Sequence, residues 1–274
     1  MSKYTYLRKG KKQLNKKRNV LITGASSGIG YELAKIFANN GYNLILVARN
    51  KERLEQLRSE LHQVKVTILA KDLSSPHAAQ ELYSQVQALQ LPVDILINNA
   101  GYGMQGKFHQ LDLEKQLNMV HLNIVALMEL THYFVQEMVS RKYGRIMNIG
   151  SIASFISTPS MSTYAATKAF VLSFSESLNS ELKGKGDLCV TALCPGPTTT
   201  NFAQTANIAG DLETAFKRLS LPASFVAQAG YEAMMKKKAV VIPGKRFSLS
   251  VTSTRFLSRN MIQRLLSRSN EKEV

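Results

Sequence analysis

Short apolar runs recur along the chain, separated by longer stretches in which apolar residues return every three to four positions. The runs at 20–23, 43–47, 65–69, 94–97, 145–149, 188–193 and 239–242 are too short for helices and predict strands. The stretches at 30–39, 51–61, 76–89, 113–140 and 162–182 predict helices. Strand and helix alternate throughout, and the strands are apolar on both faces. Each crossover helix must then bury its stripe on the sheet, which implies a doubly wound parallel β-sheet of about seven strands with helices on both faces. The segment 198–222 breaks the rhythm after a Pro-Gly-Pro turn and reads as a helical lid, with an ordinary surface excursion as the alternative. No repeat and no low-complexity linker interrupts the middle of the chain. One α/β domain over 19–245 is expected, between a basic leader at 1–18 and a basic, helical C-terminal segment at 246–274.

Composition changes this picture only at the ends. Hydrophobic residues make up 45% of the 274 and charged ones 20%, a balance that supports a sizeable core and argues against disorder. The net charge of +16 would point to an acidic partner, so its location matters. Residues 1–18 carry eight Lys or Arg and no acid, and 231–274 carry ten against three acids, whereas 19–230 holds 17 basic and 16 acidic residues. The body is nearly neutral, and the ends are solvated tails or contacts for nucleic acid or a peripheral membrane surface. Near the C-terminus, Phe256, Leu257, Met261, Ile262, Leu265 and Leu266 are flanked by arginines on both sides of their helical arc. That spoils a clean membrane-lying face, so packing on the body or on a partner subunit is as good a reading. Cys189 and Cys194 fall on opposite faces of one strand, which disfavours a mutual disulfide. No secretory h-region and no run approaching about 18 apolar residues is present, so a cytoplasmic protein is expected.

The first strand runs into TGASSGIG, where Gly24, Gly28 and Gly30, with Ser26, Ser27 and Ile29, precede a helix. Glycines here let backbone N–H groups approach a pyrophosphate at a helix N-terminus. Tyr164 and Lys168 are four residues apart on one helical face, where an ammonium would lower the pKa of a phenol toward working pH. Such a tyrosine can donate a proton to a carbonyl or accept one from an alcohol. Ser151 follows the fifth strand at the carboxyl edge, where doubly wound sheets bind ligands, and Ser154 competes with it. The second strand ends LILVARN, without the acid that would hold a ribose hydroxyl. Arg49 offers its guanidinium to a 2′-phosphate instead, so NADP(H) is expected over NAD(H). His109, His121 and His132 lack matching carboxylate or cysteine spacing, and no metal is assigned.

TGxxxGxG, then NNAG at 98–101, then Ser151 thirteen residues before the YxxxK of Tyr164 and Lys168, then Pro195 and Gly196, resemble the single-domain branch of the short-chain dehydrogenase/reductase family over about residues 19–245. The IPG at 242–244 and the basic tail are most like bacterial NADP-dependent members. The resemblance implies a Rossmann fold, a homodimer or homotetramer, and hydride transfer between nicotinamide and a small carbonyl or alcohol substrate. It implies catalytic roles for Ser151, Tyr164 and Lys168, with Asn123 supporting a water relay from Lys168. It also implies cofactor contacts from Asn99, Ala100, Gly101, Tyr164, Lys168, Pro195, Gly196, Thr198 and Thr200, with Asp72 and Leu73 flanking the adenine. An Asp after a strand is equally a helix N-cap. Tyr102, Phe155 and Phe202 point to a hydrophobic substrate if they line the pocket, and to ordinary core aromatics if they do not. The rival reading is a non-catalytic NADP-sensing protein whose basic ends contact nucleic acid or membrane. It would require a spoiled catalytic set, whereas every member is present.

Overall fold

In the computed structural model, which describes residues 18–254 and Met261, the run NVLIT lies in the middle of a parallel sheet. All of β1 (Asn19–Thr23) is buried because both its faces are covered. Val20 and Ile22 join one apolar layer with Leu33 and Phe37, and Leu21 joins the opposite layer with Leu82 and Phe134. Successive residues of a strand face opposite sides, so a strand sandwiched in this way must be apolar throughout.

The chain continues through α1 (Gly28–Asn39), β2 (Asn43–Ala48), α2 (Lys51–Glu60), β3 (Val66–Ala70), α3 (Ala78–Ala88), β4 (Ile95–Asn98), α4 (Leu113–Val120), α5 (Leu127–Ser140), β5 (Tyr143–Ile149), α6 (Ser162–Glu181) and β6 (Asp187–Leu193). Then come β7 (Thr198–Thr199), α7 (Phe202–Thr205), α8 (Gly210–Leu219), β8 (Leu221–Pro222), α9 (Ala223–Met235), β9 (Val240–Val241) and α10 (Lys245–Thr254). The main sheet has the order β3-β2-β1-β4-β5-β6-β9, all parallel, so each of the seven predicted runs forms a strand of it. It is a Rossmann-like fold. The winding reverses between β1 and β4, which opens a crevice at the carboxyl ends of the strands. α1 packs beside α9, and α3 beside α5.

Three segments depart from the periodicity. The stretch 113–140, expected as one helix, is α4 and α5 joined by a π-helical turn at His121–Ala126. Such a turn inserts one residue without interrupting the apolar stripe, so the pattern does not reveal it. Helix α9 was not anticipated, because its Ala- and Gly-rich inner face reads weakly. A Cβ on its Gly230 would lie 2.7 Å from Leu193, which shows how closely it approaches the sheet. Within 198–222 the chain forms α7 and α8 and pairs β7 with β8. Gln105 fastens this segment to the loop after β4: its N–H donates to the Ala206 carbonyl at 2.9 Å and its Oε1 accepts from the Ala209 N–H at 2.8 Å.

Both cysteines are free, Cys189 in the layer beneath α9 and Cys194 against Leu172 of α6. The leader at 1–17 and the arginine-flanked stretch after Thr254, Met261 excepted, lie outside the described residues. The first part of the 246–274 segment packs on the body, with Phe247 and Val251 of α10 buried. No helix of the described residues is long and apolar enough to cross a membrane.

Candidate active site

The turn between β1 and α1 is shaped by close backbone approach. Gly24 and Gly28 have φ of +64° and +59°, in the left-handed region open to glycine. A Cβ on Gly24 would stand 2.7 Å from Asn99 Nδ2 and 2.9 Å from Ala100 Cα. Asn99 closes the approach by donating Nδ2 to the carbonyls of Thr23 at 2.9 Å and Gly24 at 3.0 Å. Thr23 Oγ1 in turn accepts from the N–H groups of Asn99 and Ala100, both at 3.0 Å. Thr23 was absent from the sequence-based set, although it opens the glycine motif. Ser27 caps α1 with no side-chain bond, so the first-turn N–H groups take no partner from it, a situation suited to an anion. Gly24→Val is expected to weaken dinucleotide binding at least about tenfold, because a side chain at this left-handed position would push the turn away from Asn99 and Ala100 and shift the N–H groups that face the ligand, against a strain of about 1–3 kcal/mol. A fluorescence titration of bound NADPH checks this, and unchanged affinity would show that the turn tolerates a side chain.

A cleft of about 840 Å³ opens beside this turn, at the carboxyl ends of the strands. Its walls include Gly24, Ser26, Ser27, Gly28, Ile29, Arg49, Asp72, Leu73, Asn99, Ala100, Gly101, Ser151, Tyr164, Lys168, Pro195, Gly196, Thr198 and Thr200. Two expected residues are not on its walls. Gly30 lies beneath the turn, where a Cβ would meet Asn99 Nδ2 and the Gly24 carbonyl, both at 2.5 Å. Asn123 lies behind Gly101, with Oδ1 accepting from the Tyr102 N–H at 3.2 Å and Nδ2 donating to the Tyr102 carbonyl at 2.9 Å and to Thr167 Oγ1 at 3.1 Å. Its side chain therefore holds the loop after β4, and its Oδ1 and Lys168 Nζ both lie near the bare backbone of Gly101, 2.8 and 3.5 Å from where a Cβ would stand. Of the three aromatics, Tyr102 and Phe202 line the cleft, while Phe155 packs near Leu172 and Cys194.

Ser151, Tyr164 and Lys168 converge where β5 ends against α6. The Ser151 and Tyr164 side chains face each other across the cleft, with Ser151 near enough to oppose the rise of the Tyr164 pKa. The Ser151 hydroxyl accepts from the Ala153 N–H at 3.1 Å, while Ser154 Oγ accepts from the Ser151 N–H at 3.2 Å. Ser154 thus braces Ser151 from behind and does not line the cleft. Lys168 Nζ donates to the Ile149 carbonyl at 2.7 Å and lies 5.8 Å from the centre of the Tyr164 ring. Here the electrostatics differ from the sequence expectation. Burial pushes the Tyr164 phenol up to about 12, and Ser151 opposes the rise. Burial also lowers Lys168 from 10.5 to about 8. Desolvation penalises whichever form is charged, and at this depth it outweighs the attraction between the two groups.

The Lys168 shift has a measurable sign. Between about 8 and 10.5 the unfolded chain keeps a proton that the native state has released, so this group adds stability as pH rises through that window. Lys168→Met is therefore expected to be more stable than the parent near pH 7, by up to about 3 kcal/mol. The gap should narrow as pH rises through that window. Paired thermal melts across pH test this, and a constant gap would mean that the ammonium is not desolvated.

At the other end of the cleft, Arg49 follows β2 and lies 3.8 Å from Asp72 Oδ2, with 75% of its side chain exposed. Asp72 Oδ1 accepts from both the N–H and the hydroxyl of Ser74, at 2.9 and 2.7 Å, so it makes a local turn and does not cap α3, whose N-cap is His77. Asn50, Arg53 and Lys71 also line this end and were missed in the sequence. The spacing of Arg53, four residues after Arg49, was the available signal. Lys71 is already paired with Glu81 at 2.6 Å. On the opposite side, Met104, Ile156, Met161, Leu212 and Phe216 make an apolar wall, much of it carried by α8 and the loop after β4. Beneath the turn after β6, the Phe247 ring fills the place where a Gly196 Cβ would stand, at 2.8 Å.

The short chain dehydrogenase family model matches residues 18–210, a span that contains the glycine turn, Ser151, Tyr164 and Lys168. The chain belongs to the short-chain dehydrogenase family. It is similar to sulfoacetaldehyde reductase 2 of Chromohalobacter salexigens, 37% identical over 186 residues, covering 67% of this chain and 73% of that protein. Among solved short-chain dehydrogenases, one from Sphingobium yanoikuyae in complex with NADPH is 34% identical with a TM-score of 0.77, over 88% of this chain and 94% of that one. A bulky-bulky ketone specific alcohol dehydrogenase from Comamonas testosteroni is 32% identical with a TM-score of 0.73, over 88% and 93%. As a family member the chain is an oxidoreductase that uses a nicotinamide cofactor.

Proposed function

We propose that this short-chain dehydrogenase is an NADP(H)-dependent carbonyl reductase or alcohol dehydrogenase, acting on a ketone, an aldehyde or the matching secondary alcohol. The observation that carries this reading is the meeting of the Ser151 and Tyr164 hydroxyls with the Lys168 amine in the cleft that the glycine turn borders. Likeness to a bulky-ketone alcohol dehydrogenase supports the substrate class, as does the apolar wall.

The residues fit the cofactor. Gly24 lets the turn lie close against Asn99 and Ala100, where a Cβ would not fit, and the N-terminus of α1 is suited to the pyrophosphate. Gly28, Asn99, Ala100 and Gly101 would border the dinucleotide, Asp72 and Leu73 the adenine, and Pro195, Gly196, Thr198 and Thr200 the nicotinamide half. Arg49 would hold the adenosine 2′-phosphate by charge-assisted hydrogen bonds. The bound nicotinamide supplies or accepts the hydride. The chain does the rest. The Ser151 hydroxyl holds the substrate oxygen, and Tyr164 gives that oxygen its proton. Lys168 sits where its positive charge steadies the phenolate left behind. The apolar wall keeps water away from the reacting atoms. A screen of ketones and aldehydes, followed by loss of NADPH absorbance, tests the reading. NADPH binding without turnover of any of them would favour the non-catalytic alternative.

A further inference from the structure

Phe202 is the residue through which the lid segment reaches the catalytic tyrosine. Its ring centre lies 5.4 Å from that of Tyr164 at an angle of 49°, and 6.3 Å from that of Phe216 at 17°. The three rings form a column from α6 through α7 to α8. A Cβ on Gly103 would stand 2.7 Å from Phe202 Cζ and 3.1 Å from Tyr164 Cδ2, so both rings rest on one bare stretch of backbone. The position is also anchored: the Phe202 N–H donates to Thr200 Oγ1 at 3.2 Å, and the Ala206 carbonyl at the end of α7 receives Gln105. The ring is only partly buried, and its free surface lines the cleft beside Tyr164.

A carbonyl oxygen that accepts hydrogen bonds from Tyr164 and Ser151 must place its two substituents within a few ångströms of the phenol. One of them then meets the Phe202 ring. We propose that Phe202 is a specificity-determining residue, whose ring limits the size of one of the two substituents on the carbonyl carbon and offers its face to an apolar, planar group on that side. This rests on the carbonyl-reductase reading above. The ring is stiff at two torsions and braced by Phe216, so a larger group can enter only by displacing the column.

The test uses full-length protein with NADPH and two ketones, acetophenone with one small substituent and benzophenone with none. Phe202→Ala is expected to raise the ratio of kcat/KM for benzophenone over acetophenone at least about tenfold, the scale on which pocket volume discriminates. Phe202→Leu should fall between. An unchanged ratio, or an equal loss on both ketones, would overturn the proposal, the second because it marks a role in packing alone. A further readout does not depend on turnover. The chain contains no tryptophan, so Phe202→Trp gives a single indole reporter. Benzophenone added to the NADP⁺-bound protein should shift its emission well beyond that of a Phe174→Trp control, whose position does not line the cleft. Equal responses would overturn the proposal. Failure of every ketone and aldehyde of the screen above to react, with the emission shift retained, would instead remove the reductase reading and leave the contact in place.

Discussion

Replacing Tyr164 by Phe is expected to lower turnover by at least about two powers of ten, the usual scale of general acid catalysis, with NADPH affinity nearly unchanged. The substitution removes one oxygen and leaves the ring, so the contacts with Phe202 and Met161 persist and the cleft keeps its shape. What disappears is the group that donates the proton. With burial holding the phenol up to about 12, Tyr164 enters the reaction protonated at neutral pH, which suits reduction of a carbonyl. Oxidation of an alcohol needs the phenolate, so in the parent protein the oxidative rate should climb with pH more steeply than the reductive rate. Steady-state rates in both directions check this, together with NADPH titrations of the variant. Near-parental turnover would place the proton donor elsewhere, and lost NADPH binding would mean that the hydroxyl serves the cofactor.

For Arg49→Asp, the ratio of kcat/KM for NADPH to that for NADH should fall at least about tenfold, since one charge-assisted hydrogen bond is worth about 1.5–3 kcal/mol. Two effects act together. A phosphate partner is lost, and a carboxylate is gained that repels the phosphate and can accept from a ribose hydroxyl. The side chain is 75% exposed and lies 3.8 Å from Asp72, so its removal leaves the core untouched and a change in ratio reports on cofactor choice. Kinetics with both cofactors decide it. A steady ratio would pass the role to Arg53, which lines the same end of the cleft.

What could be read in the sequence was whatever the chain writes locally. The apolar runs were legible because strands buried on both faces tolerate little else. The glycine turn and the Tyr164–Lys168 pair were legible because their chemistry requires fixed short spacings. Other features arise only when distant segments meet. The π-turn that brings Asn123 to Tyr102 leaves no gap in the hydrophobic pattern. Helix α9 hides because close packing on the sheet selects small residues. The Tyr164 pKa ran opposite to the local reading, since the Tyr-Lys spacing announces an attraction while the depth of the site sets the larger desolvation cost. Thr23 and Ser154 act on neighbours that only the folded loops supply.

The contact of Phe247 with Gly196 bears on how this protein is handled at the bench. A cut after Gly244 looks harmless in the sequence, since every recognised motif lies upstream. It would nevertheless strip away the aromatic ring that seats the Pro195–Gly196 turn. Such a trimmed protein should melt below the parent, because the buried Phe247 and Val251 are lost, and hold its cofactor poorly. Affinity tags and fusion joints at this end belong well beyond Val251, so that the buried Phe247 and Val251 stay in place.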